Sequence, residues 1–67
     1  MSRNISSYAI KGNDMVEFYN ENGTYVRSIQ AKGVKDVRIS PNGEFDIYRN
    51  GMREHYDNTM VKRRTYR

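Results

Sequence analysis

The densest group of chemically active side chains lies at the C-terminal end of the chain. Four cations and one tyrosine are interleaved there: Lys62, Arg63, Arg64, Tyr66 and Arg67. Basic side chains neutralise phosphates and an aromatic ring stacks on an unpaired base, so the combination is typical of single-stranded nucleic-acid binding. The same cations on an exposed strand also prevent edge-to-edge aggregation, and they suit an acidic protein partner. All three interpretations stay open.

The positive charge of the chain is concentrated in its C-terminal quarter. The sequence has 12 Lys and Arg against 8 Asp and Glu, which gives a formal net charge of +4. Residues 1–51 contain seven basic and six acidic side chains, whereas residues 52–67 contain five basic and two acidic ones. The positive excess is therefore local to the C-terminal quarter of the chain.

Tyrosines form a second candidate surface. The chain has 6 Tyr, 2 Phe and no Trp among its 67 residues. A tyrosine ring can pack while its hydroxyl stays in water, so such residues serve both thin sheets and interfaces. Most of them are expected to pack within the sheet, but at least one exposed cluster is expected in a domain this small. The candidate interface aromatics are Tyr19, Tyr25 and Tyr48.

Catalytic and metal chemistry have little support in the sequence. There is no cysteine and only one histidine, His55, which is too few ligands for a zinc site in one chain. No nucleophile motif or phosphate-binding loop is present, and the glycines belong to turns. We expect no enzyme activity, no cofactor and no metal, with His55 in a charged cross-strand ladder on the surface.

The elements that must position these side chains are indicated by three Asn-Gly pairs. A tight hairpin turn needs positive φ, which asparagine tolerates and glycine adopts freely. Each pair lies between short segments rich in Tyr, Phe, Val and Ile, and no apolar pattern has the spacing of a helix. The turn glycines are Gly23, Gly43 and Gly51.

Alternation between these turns predicts short antiparallel strands. Apolar side chains recur at every second position in most of the segments, whereas the pattern is weak in the tail from Thr59 to Arg67. That tail is expected to be either an edge strand or a segment that orders on binding. The first five predicted strands are Ser7 to Lys11, Met15 to Tyr19, Thr24 to Ala31, Val34 to Ser40 and Glu44 to Arg49.

The Asn50-Gly51 turn also predicts a register. A two-residue loop pairs Arg49 with Met52, Ile47 with Glu54 and Phe45 with Tyr56. Glu54 then falls on the apolar face, where a carboxylate is out of place. It is expected either at the margin of the sheet or paired with a base.

The predicted fold is an all-β antiparallel meander of five to six strands with little or no helix. It is expected to curl into a small SH3-like barrel or to remain a strongly twisted sheet. Residues 1–6 are a loose lead-in, 7–57 the meander and 58–67 the basic edge strand or tail. Because so short a chain has a thin core, a homo-oligomer is expected, most simply a dimer with sheets face to face.

The function predicted from these features is non-catalytic binding through a Tyr-rich β surface. Small, cysteine-free chains of this composition suit an accessory role such as sequestering or blocking a host factor, as bacteriophage proteins do. A protein partner is favoured. Nucleic-acid binding by a small barrel through the basic tail is the first alternative, and a structural assembly component is the second. No stretch is long and apolar enough for a membrane span, and we expect a soluble, cytoplasmic protein.

Overall fold

A computed structural model describes residues 5–67, and all of their regular structure is antiparallel β-sheet. The all-β class is confirmed, with seven strands rather than the predicted five to six. The basic tail forms an edge strand, which is one of the two outcomes expected for it. The strands follow one another as neighbours within two sheets. The first sheet contains β1 (Ser7–Lys11), β2 (Met15–Tyr19) and β3 (Tyr25–Gln30), and the second contains β4 (Val34–Ile39), β5 (Phe45–Arg49), β6 (Met52–Tyr56) and β7 (Lys62–Tyr66).

The register predicted from the Asn50-Gly51 turn is observed. Arg49 pairs with Met52, Ile47 with Glu54 and Phe45 with Tyr56. Asn50 has a φ of 52° and Gly51 a φ of 74°, as a two-residue hairpin loop requires. The local turn chemistry therefore decides which side chains of β5 and β6 share a face.

The core lies between the two sheets. Val16 and Phe18 of β2 are fully buried, and Phe45 and Ile47 of β5 are buried opposite them. The rings of Phe18 and Phe45 meet across the core with centroids 4.5 Å apart. Each sheet thus covers the apolar face of the other within one chain. From the sequence, this cover was expected to come from curling of one sheet or from a second copy of the chain.

The N-terminal lead-in contributes to this core. Of its six residues, 1–4 lie outside the described part of the chain. Ile5 is buried against the core, and the backbone N–H of Ser6 donates to the carbonyl of Tyr19 at 2.7 Å. The described end of the lead-in is therefore packed against the first sheet.

The connection from β3 to β4 separates the sheets. Ala31 and Gly33 donate backbone hydrogen bonds to Asp14 and Asn13 in the loop between β1 and β2, at 2.8 Å each. Gly33 has a φ of 81°, and a Cβ there would lie 2.7 Å from the Asn50 amide oxygen. The positive φ favours glycine at this corner, where the chain leaves the first sheet and enters the second.

Three hairpin loops share one backbone arrangement. In residues 20–24, 40–44 and 57–61, the first N–H bonds to the fifth carbonyl and the fourth N–H to the first carbonyl. The fourth residue is left-handed in each: Gly23 at 80°, Gly43 at 90° and Met60 at 68°. The sequence revealed only the first two, because the third carries no glycine.

The first loop provides a test of this backbone constraint. Gly23→Ala places a Cβ where no atom lies within 4 Å, so its effect reports backbone strain alone. We expect a loss of about 1 kcal/mol in the free energy of unfolding, measured by urea denaturation. The matched control, Glu21→Ala in the same loop, is expected to change stability by less than about 0.5 kcal/mol. Equal effects of the two substitutions would contradict the assignment.

Candidate interaction surface on the second sheet

The predicted basic segment forms β7, the last strand of the second sheet. It pairs with β6, and all five of its residues are exposed. Because its composition is polar and basic, β7 has no apolar face to bury. It therefore lies at the edge of the sheet and not between other strands. The basic side chains are therefore presented to solvent from a defined strand.

Contacts with β6 and the preceding loop hold β7 in place. The Lys62 ammonium lies 3.7 Å from a Glu54 carboxylate oxygen, and the Arg63 guanidinium lies 3.8 Å from Asp57. The Arg53 guanidinium stacks over the Tyr66 ring, 4.0 Å from its centroid. Three of the five predicted contact residues thus also interact within the chain.

The buried carboxylate of Glu54 is the strongest of these anchors. Glu54 is 3% exposed, and both of its oxygens accept hydrogen bonds from Arg49, each at 3.0 Å. These hydrogen bonds are the main reason that the pKa of Glu54 lies below its ordinary value, with Arg49 and Lys62 adding favourable charge. Of the two expectations for this residue, pairing with a base is the one observed.

Tyrosine and arginine side chains line up on the opposite side of the sheet. We call this the outer face, and define it by two rows of cross-strand neighbours. The first row is Asp36, Tyr48, Arg53 and Tyr66, and the second is Arg38, Asp46, His55 and Arg64. The first row brings the predicted Tyr48 and Tyr66 together, with Arg53 between them.

Two predicted cations are available on this side of the molecule. Among residues 5–67, neither Arg64 nor Arg67 lies within ion-pair distance of a carboxylate. Arg64 lies 6.0 Å from the Tyr66 ring centroid, at the outer limit for a cation–π contact. Arg67 lines a shallow depression of about 450 Å³ together with Tyr48, Arg53 and Tyr66. These cations can meet an external anion without breaking an internal ion pair.

The other two candidate aromatics lie on the first sheet. Tyr19 and Tyr25 meet edge to face with ring centroids 6.2 Å apart, and their hydroxyls bond to Glu17 and Ser28. Strict alternation along β3 would place Tyr25 on the same face as Ile29. A register shift beside Tyr19 turns Tyr25 to the opposite, solvent-facing side. The predicted tyrosines therefore form two separate groups rather than one platform.

His55 lies within the second row of the outer face. Its Nδ1 is 2.6 Å from Asp46, and its Nε2 is 3.4 Å from Glu44. Within residues 5–67, no group of three or more His, Asp or Glu side chains is placed to hold a metal ion. The contacts are those of a charged cross-strand ladder.

Arg53 also belongs to this surface, although it was not among the candidate residues predicted from the sequence. The Asn50-Gly51 register places it opposite Tyr48, and β7 then adds Tyr66 on its other side. The pairing of Arg53 with Tyr48 could be predicted from the Asn50-Gly51 turn. The pairing of Arg53 with Tyr66 depends on the loop before β7, which has no glycine and gives no comparable sequence signal.

Comparisons with known proteins assign the chain to no family: no family model, curated protein or solved structure matches it.

The described residues contain no helix long and apolar enough to cross a membrane.

The Glu54 contacts lead to a prediction about stability. Glu54→Gln removes the buried negative charge beside Arg49 and Lys62, and we expect a loss of about 2–3 kcal/mol at neutral pH. Because the folded-state pKa is lowered, this contribution is present above the ordinary glutamate pKa of about 4.3 and is lost as the pH falls through the folded value. The difference between wild type and variant should therefore shrink in acid, as measured by urea denaturation at several pH values.

The control for this prediction is Glu21→Gln, since Glu21 is exposed in a loop. It should leave stability within about 0.5 kcal/mol of wild type at every pH. A Glu54→Gln variant as stable as wild type at neutral pH would show that the buried carboxylate contributes nothing.

Proposed function

We propose that this chain is a small non-catalytic binding protein that holds an acidic protein partner on β7 and the adjoining outer face. The observation that carries the proposal is the exposed strand itself: all five residues of β7 are exposed, and three of them, Lys62, Arg63 and Arg64, are basic. An accessory role, in which binding sequesters or blocks the partner, is part of the proposal.

The arrangement of charge favours a protein over nucleic acid. Lys62 and Arg63 already contact carboxylates within the chain, and Arg53 stacks on the Tyr66 ring. Asp46 contacts His55 and Arg53, and the Asp36 carboxylate accepts a hydrogen bond from Tyr8 of β1. Both add negative charge beside the cations, which disfavours a continuous row of phosphates. A protein partner can place carboxylates beside Arg64 and Arg67 and avoid these acidic positions.

The first test uses a defined acidic probe. A fluorescein-labelled peptide of about six residues, alternating glutamate and threonine, has the usual length of a strand and residues that favour extended structure. We expect it to bind the wild-type protein in a fluorescence anisotropy titration. Arg64→Glu should weaken binding by about tenfold, because it replaces an attraction with a repulsion on the proposed surface.

The matched control is Lys11→Glu, the same charge change at an exposed position of β1, which contacts β4 at the opposite edge of the second sheet from β7. It should bind the peptide within about twofold of wild type, because screening limits the effect of distant charges. Equal weakening by both variants would show that net charge, and not β7, governs binding. That result would overturn the proposed surface.

Nucleic-acid binding is the second candidate, and the first row of the outer face favours it. Tyr48, Arg53 and Tyr66 form an aromatic and cationic strip of the kind on which unpaired bases stack. Fluorescein-labelled oligothymidylate in the same titration separates the candidates. Tighter binding of the oligonucleotide than of the peptide, weakening steeply from low to moderate salt, would favour this alternative.

For the predicted dimer we propose a separate location. Tyr25 is 54% exposed and Val61 is 49% exposed. Tyr25 and Met60 line a cavity of about 470 Å³ between β3 and the loop that precedes β7. Self-association at this end would cover apolar surface without occupying β7. Light scattering coupled to size exclusion tests it, with Tyr25→Ser as the disrupting variant.

A further inference from the structure

The free edge of β7 offers backbone groups as well as charges. β7 ends the order β4-β5-β6-β7, and no strand pairs with its far side among residues 5–67. An edge strand directs alternate N–H and C=O groups to solvent, where they can accept another strand. The exposed segment is therefore a site for backbone hydrogen bonding in addition to side-chain contact.

The edge of β3 differs from that of β7. β3 has half-buried side chains at Val26, Ser28 and Ile29, and Arg27 is its one cation. β7 has no buried or half-buried residue and three consecutive cations, with Arg67 directly after the strand. The four edge strands of the two sheets are β1, β3, β4 and β7. Among them, β7 alone has every residue exposed and carries three cations.

The same charge argues against a second copy of β7 on this edge. β7 contains Lys62, Arg63 and Arg64 and no carboxylate. Antiparallel pairing of two such strands would place like charges opposite one another, which destabilises a sheet. A strand rich in glutamate or aspartate would instead gain attraction at the same positions. The edge is complementary to an acidic strand and not to itself.

We propose that β7 binds an extended acidic segment of a partner protein as an eighth strand of the second sheet. This inference rests on the proposed function and adds the mode of binding. Backbone hydrogen bonds to β7 hold the segment, and its carboxylates contact Arg64 and Arg67, which are free of internal ion pairs among residues 5–67. Nucleic acid lacks the regularly spaced peptide groups that this edge requires.

The test compares two peptides of identical charge. The first is the glutamate–threonine peptide, and the second is the same peptide N-methylated at four consecutive residues, which removes backbone donors on both of its edges. Strand addition predicts that N-methylation weakens binding by at least about tenfold in anisotropy titrations. It also predicts slower hydrogen exchange, on peptide binding, at those β7 amides that do not bond to β6.

The possible outcomes distinguish failure of strand addition from failure of the proposed function. If both peptides bind equally and Arg64→Glu weakens both, the acidic partner is supported and strand addition is overturned. If neither peptide binds, or oligothymidylate binds more tightly, the proposed function itself is overturned. If the peptide induces no new protection in β7 but the protein dimerises through that strand, a second copy is the occupant and the inference is wrong.

Discussion

The buried carboxylate of Glu54 is the interaction on which the second sheet depends. It lies on the core face of β6, where an uncompensated charge would be costly, and its two oxygens are satisfied by the guanidinium of Arg49. Lys62 adds a third positive group from β7. A single acidic side chain therefore links three consecutive strands, and it gives a wholly exposed strand a reason to stay in the sheet.

The basic C-terminal segment is part of the second sheet and is not a loose tail. Two of its cations, Lys62 and Arg63, lie within ion-pair distance of carboxylates of the chain, and Arg64 and Arg67 do not among residues 5–67. A free edge that carries positive charge is protected from pairing with another copy of itself. In the proposed mode of binding, the same charge would attract an acidic strand. Protection from self-pairing and the proposed binding would then depend on the same residues.

The packing of the two sheets also determines which aromatic rings are buried and which are exposed. Phe18, Phe45 and Tyr56 fill the core, and the ring of Tyr56 stacks on Phe45 with centroids 4.8 Å apart. Burial raises the pKa of Tyr56, as expected for a phenol held away from water. Tyr48 and Tyr66 remain outside with Arg53. Large rings thus serve the core and the outer face of the same sheet, depending on strand alternation.

The sequence by itself determined the turns and the pairing of β5 with β6. Positive φ at an Asn-Gly pair is a local property, and a two-residue loop fixes the register of the strands that it joins. It also identified Glu54 as a residue in need of a partner. It missed the loop before β7, since Met60 adopts a left-handed conformation that its residue type does not favour.

Only the tertiary structure decided how these strands meet. The chain leaves the first sheet and enters the second at the corner at Gly33, whose hydrogen bond and close approach involve Asn13 and Asn50, both distant in sequence. The register shift that turns Tyr25 outward arises from pairing of β3 with β2. Which cations of the C-terminal segment lie beside carboxylates depends on side chains supplied by β6 and its loop. Each of these features is a contact between segments, which no local pattern of residues can specify.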